Sequence, residues 1–79
     1  MNVKEISYKI IKQIGVISKT NMYTKELNII SWNGREPVFD VRMWKIGNDG
    51  EKIPLKGISM NKRDLFELNK FLDNVDLEA

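Results

Sequence analysis

The stretch Ser31–Trp44, SWNGREPVFDVRMW, decides the fold. An Asn-Gly pair between alternating apolar and polar residues is a strong hairpin signal, because both residues reach the left-handed backbone that a tight turn between twisted strands needs. The turn joins YTKELNIISW, Tyr23–Trp32, to PVFDVRMWKI, Pro37–Ile46. Side chains alternate faces along a strand, so Phe39, Val41 and Met43 form one set and Asp40, Arg42 and Trp44 the other. On the partner strand, Leu27 and Ile29 stand against Asn28, Ile30 and Trp32. A two-residue turn pairing Trp32 with Arg35 puts Ile30 and Trp32 beside Phe39 and Val41 but leaves Leu27 and Ile29 next to Asp40 and Arg42. A three-residue NGR loop pairing Trp32 with Glu36 gathers Leu27 and Ile29 into the apolar set, and the hydrophobic consistency of each face favours that register. It predicts Glu26 opposite Arg42 and Asn28 opposite Asp40, pairings that would fix Arg42 in position.

Outward from this hairpin, YKIIKQIGVIS, residues 8–18, is rich in β-branched residues and reads as a first strand, with Gly15 marking a bulge or bend. GNDG, Gly47–Gly50, is a second turn signal. Residues 51–58 of EKIPLKGIS follow as the fourth strand, where Pro54 indicates an edge. The period then changes. Leu65, Leu68, Leu72 and Val75 recur at helical spacing with Phe71 on the same face, and Asn61 with Asp64 three positions on reads as an N-cap with a short-armed capping box. The expectation is an α+β fold in one domain, 1–79: a four-stranded antiparallel curved sheet in meander order, followed by one helix at about 62–75. The apolar set of the sheet should face the helix and the polar set should face away. Phe66 points roughly opposite the helix stripe, which hints at a subunit contact.

The chain has 79 residues, no cysteine and no histidine. A domain of this length buries only about 60–65% of the surface its unfolded chain exposes, and with neither disulfide nor metal to help, self-association is the expected aid. A homodimer resting on Phe66, Leu68, Phe71 and Leu72 follows. The start MNVKEISYKIIK has no apolar signal region and there is no long apolar run, so a cytoplasmic protein without a membrane partner is expected. The net charge of +2 is unevenly spread. Residues 1–60 carry ten Lys and Arg against six Asp and Glu, whereas residues 61–79 carry three against five. A basic front suits a polyanionic partner, although many proteins without one share that bias. Catalysis is not expected: acid-base work would fall to Glu26 and Asp40, whose close partners hold them ionised. There is no glycine-rich phosphate loop either, since GNDGEK is a hairpin turn. No cofactor, metal or small-molecule substrate is indicated.

The favoured register places Trp32 and Trp44 on the uncovered sheet face with Arg42, Asn28 and flanking lysines, Lys25, Lys45, Lys52 and Lys56. Aromatics interleaved with cations suit a single-stranded nucleic acid, whose unpaired bases stack while its phosphates seek Lys and Arg. The same residues also allow a plainer reading, in which the indoles are buried by a dimer partner or by the curl of the sheet and Arg42 merely pairs with Glu26. Single-stranded RNA is as open as DNA, because nothing visible reads a 2′-hydroxyl. A protein-interaction dimer anchored by the same indoles is a third possibility.

FDVRMW, a glycine-bearing turn and LKGISMNKRDLFELNKFLDNVD together resemble the C-terminal domain of the positive cofactor four family of transcriptional coactivators. That family has an Asp-Ile-Arg strand, an aromatic, a Lys-Gly-Ile-Ser turn and a helix in the same order. KELNIISWNGREPVFDVRMW is similar to its small bacterial YdbC-like branch. The resemblance runs from about Lys25 to Val75. It implies a homodimer that binds single-stranded DNA with little sequence preference, in transcription, replication or repair, in the cytoplasm at the nucleoid. By position it implies base stacking at Trp32 and Trp44, and nucleic-acid contacts at Arg42 and Lys56, with Arg35 close to a family lysine. Leu55 and Glu36 stand where the family carries basic residues. The serine-rich regulatory segment of the eukaryotic coactivator is absent from the chain.

Overall fold

The computed structural model describes residues 7–78. Four antiparallel strands, β1 (Tyr8–Lys19), β2 (Tyr23–Trp32), β3 (Val38–Ile46) and β4 (Lys52–Met60), lie in the order β1-β2-β3-β4, and one helix, α1 (Lys62–Asn74), follows. This is the expected sheet and helix, with β4 running two residues further than anticipated.

The central hairpin combines features of both turns weighed above. Arg35 donates its backbone N–H to the Trp32 carbonyl at 2.9 Å. Asn33 and Gly34 between them have φ of 50° and 76°, the left-handed pair of a two-residue turn. Yet β2 and β3 keep the register of the longer loop, with Glu26 opposite Arg42, Asn28 opposite Asp40 and Ile30 opposite Val38. The odd residue is absorbed between Arg35 and Pro37, outside the strands, where the Ser31 hydroxyl donates to the Arg35 carbonyl at 2.6 Å.

The sheet curls strongly. Three register shifts interrupt the β1–β2 ladder, one of them between Gln13 and Gly15, and another interrupts β3–β4 between Arg42 and Trp44. Each extra residue bends the strand and increases its twist. As a result β1 and β4, the two edges, come within reach of one side chain: the Tyr8 hydroxyl donates to the Lys52 carbonyl at 2.8 Å.

This curl corrects the expected placement of the core. Thr24, Glu26, Asn28, Ile30, Asp40 and Trp44 are all buried, on the concave face away from α1. The polar set therefore faces away from the helix, but into the fold rather than into water. The apolar set, Leu27, Ile29, Phe39, Val41 and Met43, is on the side of the sheet that α1 occupies, but none of it is buried and Met43 is exposed.

Helix α1 begins as its sequence directs, with Asn61 Oδ1 accepting the Asp64 N–H at 2.7 Å. It approaches β3 and β4 and neither β1 nor β2, and none of its residues is buried. Phe66 does not point away from the sheet as expected: it lines a groove with Leu27, Phe39, Val41, Leu65 and Leu72. No helix among the described residues is long and apolar enough to cross a membrane.

Candidate nucleic-acid interface

Two buried carboxylates organise the concave face. Glu26 is 1% exposed and accepts from Thr24 Oγ1 at 2.7 Å, from Asn28 Nδ2 at 3.1 Å and from Lys52 Nζ at 2.8 Å. Burial pushes this carboxyl pKa upward, but the hydrogen bonds from Lys52, Thr24 and Asn28, together with the Lys52 charge, outweigh burial and hold it below the ordinary value. Asp40, also fully buried, accepts Arg42 Nε at 2.7 Å and Nη2 at 2.8 Å, and takes the Ser59 hydroxyl at 2.7 Å. Arg42 thus pairs with Asp40, two residues away on its own strand, and not with Glu26 across the ladder. The planar guanidinium fork matches a carboxylate bidentately, and Lys52 already holds Glu26.

Arg42 Nη1 donates to the Leu55 carbonyl at 2.8 Å, tying the guanidinium to β4. The close approach of β4 depends on Gly57, where an added Cβ would fall 1.9 Å from Arg42 Cβ. Of the five N–H donors of an arginine, three are used in these bonds. The carbon of the guanidinium lies 4.5 Å from the Trp32 ring centroid, a cation–π contact.

The indoles of Trp32 and Trp44 are nearly parallel, with centroids 6.5 Å apart and planes at 6°. Tyr8 packs on both, 5.1 Å from Trp44 and 5.9 Å from Trp32. Trp44 is 0% exposed, which corrects the expectation that both indoles face solvent. Its position opposite Thr24 and Pro54 lies inside the curl, beneath Tyr8 and Trp32. Trp32, at the hairpin end of the same face, stays partly exposed.

An open cleft of about 480 Å³ lies beside Trp32, and Asn33, Arg35, Glu36, Val38, Arg42 and Ser59 line the rest of it. Of the residues assigned to binding from sequence, the fold brings Trp32, Arg35 and Arg42 together here. The others lie elsewhere. Asn28 is fully buried against Glu26, and Lys52 spends its charge on Glu26. Lys25 lies opposite Met43 on β2, and Lys45 is two residues beyond Met43 on β3, so alternation puts both on the face of α1. Lys56 joins Lys25, Val41, Met43 and the other side of Arg42 around a neighbouring depression. This corrects the expected ring of lysines around the tryptophans, and the reason is the two-residue period of a strand.

Tyr8 and Ser59 were not anticipated. Ser59 carried a usable signal, since it directly faces Asp40 across the β3–β4 ladder. Tyr8 carried none, because its reach to β4 depends on bulges in between.

Comparison with known proteins agrees with this architecture. An uncharacterized protein of Treponema pallidum (strain Nichols) is 29% identical over 75 residues, covering 94% of this chain and 85% of that protein. The family model described as Transcriptional Coactivator p15 (PC4) matches residues 21–71, which hold β2, β3, β4, the Trp32–Arg42 cleft and most of α1. The chain belongs to the Transcriptional Coactivator p15 (PC4) family.

Proposed function

We propose that the protein binds single-stranded DNA as a homodimer, with Trp32 as the stacking platform and Arg35 and Arg42 as its cationic partners. The observation that carries this reading is the partly exposed Trp32 side chain, with a guanidinium 4.5 Å from its ring centroid, at an open cleft. Stacking on such a ring contributes about 1–3 kcal/mol per base. A duplex keeps its π-faces stacked inside and offers nothing to Trp32. Arg42 is locked by Asp40 and Leu55, so it meets a ligand without losing side-chain freedom on binding. Trp44 supports Trp32 from below and does not itself meet the ligand. Lys25, Lys45 and Lys56 act at longer range, through the field of the basic half of the chain.

The homodimer rests on surface that a single chain leaves uncovered. One chain exposes 6594 Å², against about 4,900 Å² for a folded monomer of this mass. Its radius of gyration is 14.6 Å, where about 11.6 Å fits a compact domain of this length. The excess surface includes Phe66, Leu68, Phe71 and Leu72 on α1 and Ile11, Ile14, Val16 and Ile17 on β1. Because α1 leaves the β1–β2 half of its own sheet uncovered, a second copy is needed to bury both.

Titration of intrinsic tryptophan fluorescence with oligo-dT, oligo-rU and a DNA duplex tests the reading. Oligo-dT should quench the signal strongly in the natural protein and leave Trp32→Phe nearly unchanged, with less quenching at higher salt. Equal quenching by oligo-rU would extend the ligand to RNA. No response to either single strand would overturn the proposal.

A further inference from the structure

Glu36 is out of place in a phosphate-binding cleft. It lines the same cleft as Trp32, Arg35 and Arg42, from the connection between Arg35 and Pro37 that lies outside the strands, and it also borders a second hollow beside Ile29, Phe39 and Lys62. No hydrogen bond or ion pair engages its side chain among the described residues, although two arginines line the cleft with it. Arg42 is already matched by Asp40. The charges left at the rim are therefore Arg35 and Glu36, which formally cancel, so net charge alone gives this cleft little selectivity. What it does offer is an aromatic face, a carboxylate with two acceptor oxygens, the Ser59 hydroxyl and the spare guanidinium N–H groups of Arg42.

We propose that the Trp32 cleft is a base-reading subsite selective for guanine, with Glu36 as the residue that determines the preference. This rests on the single-strand binding reading and adds a selective position to otherwise backbone-driven affinity. The chemistry follows from the base edges. Guanine alone presents two adjacent donors, N1–H and the 2-amino group, matching the two oxygens of a carboxylate, while its O6 and N7 accept from an arginine. Cytosine and adenine each present one amino group beside a bare ring nitrogen, whose lone pair faces the carboxylate. Thymine presents one N–H between two carbonyls and is the base a carboxylate rejects most. Hydrogen bonds to a charged group are the strong ones, and lone pairs set against a carboxylate raise the discrimination further.

The test compares equilibrium binding of the full chain to short oligo-dT strands and to the same strands with scattered thymines replaced by guanine, hypoxanthine or cytosine. The guanine strand should bind roughly threefold to tenfold more tightly than oligo-dT. Hypoxanthine, which lacks only the 2-amino group, should lose most of that gain. Glu36→Gln, at an exposed position, should keep the fold by circular dichroism, bind oligo-dT more tightly than the natural protein and no longer prefer guanine. Equal affinity of the natural protein for guanine and thymine strands, or an unchanged preference in Glu36→Gln, would overturn the assignment while leaving single-strand binding intact. Failure to bind any strand would sink both.

Discussion

Trp32 and Trp44 share a face and a parallel stack, but burial gives them different tasks. Trp44→Ala removes a fully buried side chain and should cost about 3–5 kcal/mol, a large part of the roughly 5–15 kcal/mol that holds a small domain together. Chemical denaturation should show a strongly lowered urea midpoint for that variant. Trp32→Ala should keep a cooperative transition and lose single-strand affinity by about 1–3 kcal/mol, read by anisotropy. Glu26 makes a second prediction, in pH. Its folded pKa is depressed below the unfolded value, despite burial, by Lys52, Thr24 and Asn28. Its contribution to stability is therefore fully present above the ordinary carboxylate range and is lost as pH falls through the lower folded pKa. Glu26→Gln should flatten this acid limb of stability. It should also destabilise the protein by about 1–3 kcal/mol at neutral pH, measured by urea midpoints.

At the scale of elements, the hairpin and the helix start were legible because each rests on local chemistry. Asn33-Gly34 adopts the left-handed turn that such a pair favours. Asn61 caps α1 through a single hydrogen bond at 2.7 Å, and Asn61→Ala should cost about 1 kcal/mol, visible as a lower urea midpoint with an unchanged slope. The first strand was legible as a strand but not in its path. Gly15 pointed to one bulge, whereas the shifts between Ile10 and Lys12 and between Val16 and Ser18 involve residues with no turn chemistry. Those shifts are settled by pairing with β2 and by the closure of Tyr8 onto Lys52. The pairing of Arg42 with Asp40 was within reach of the sequence, since residues two apart on a strand share a face. By register alone Glu26, directly opposite Arg42, is the more evident partner.

At the scale of the whole molecule, a sheet that buries its polar face and leaves its apolar face half open is incomplete alone. Phe71 is 66% exposed on α1, and Phe71→Glu should convert the proposed dimer to monomer in analytical ultracentrifugation. The melting temperature of the natural protein should rise with concentration and that of the variant should not. Because the Trp32 cleft lies on the concave side, away from α1, the separated variant should still bind a short single strand, with the affinity of one cleft rather than two.

The order of the strands, the β2–β3 register and the existence and start of the helix can all be read from the residues alone. Each of these follows from the two-residue period of a strand, the 3.6-residue period of a helix, or the conformational needs of a turn or cap. Which residues are buried depends on long-range packing. Bulges curl the sheet, and the curl places Trp44, Glu26 and Asp40 inside, whereas Lys25 and Lys45 lie on the other side from Trp32 by alternation alone. Alternation tells which side chains share a face. Whether that face meets water depends on how far the backbone bends, and the bend is a sum over many residues that no single motif encodes.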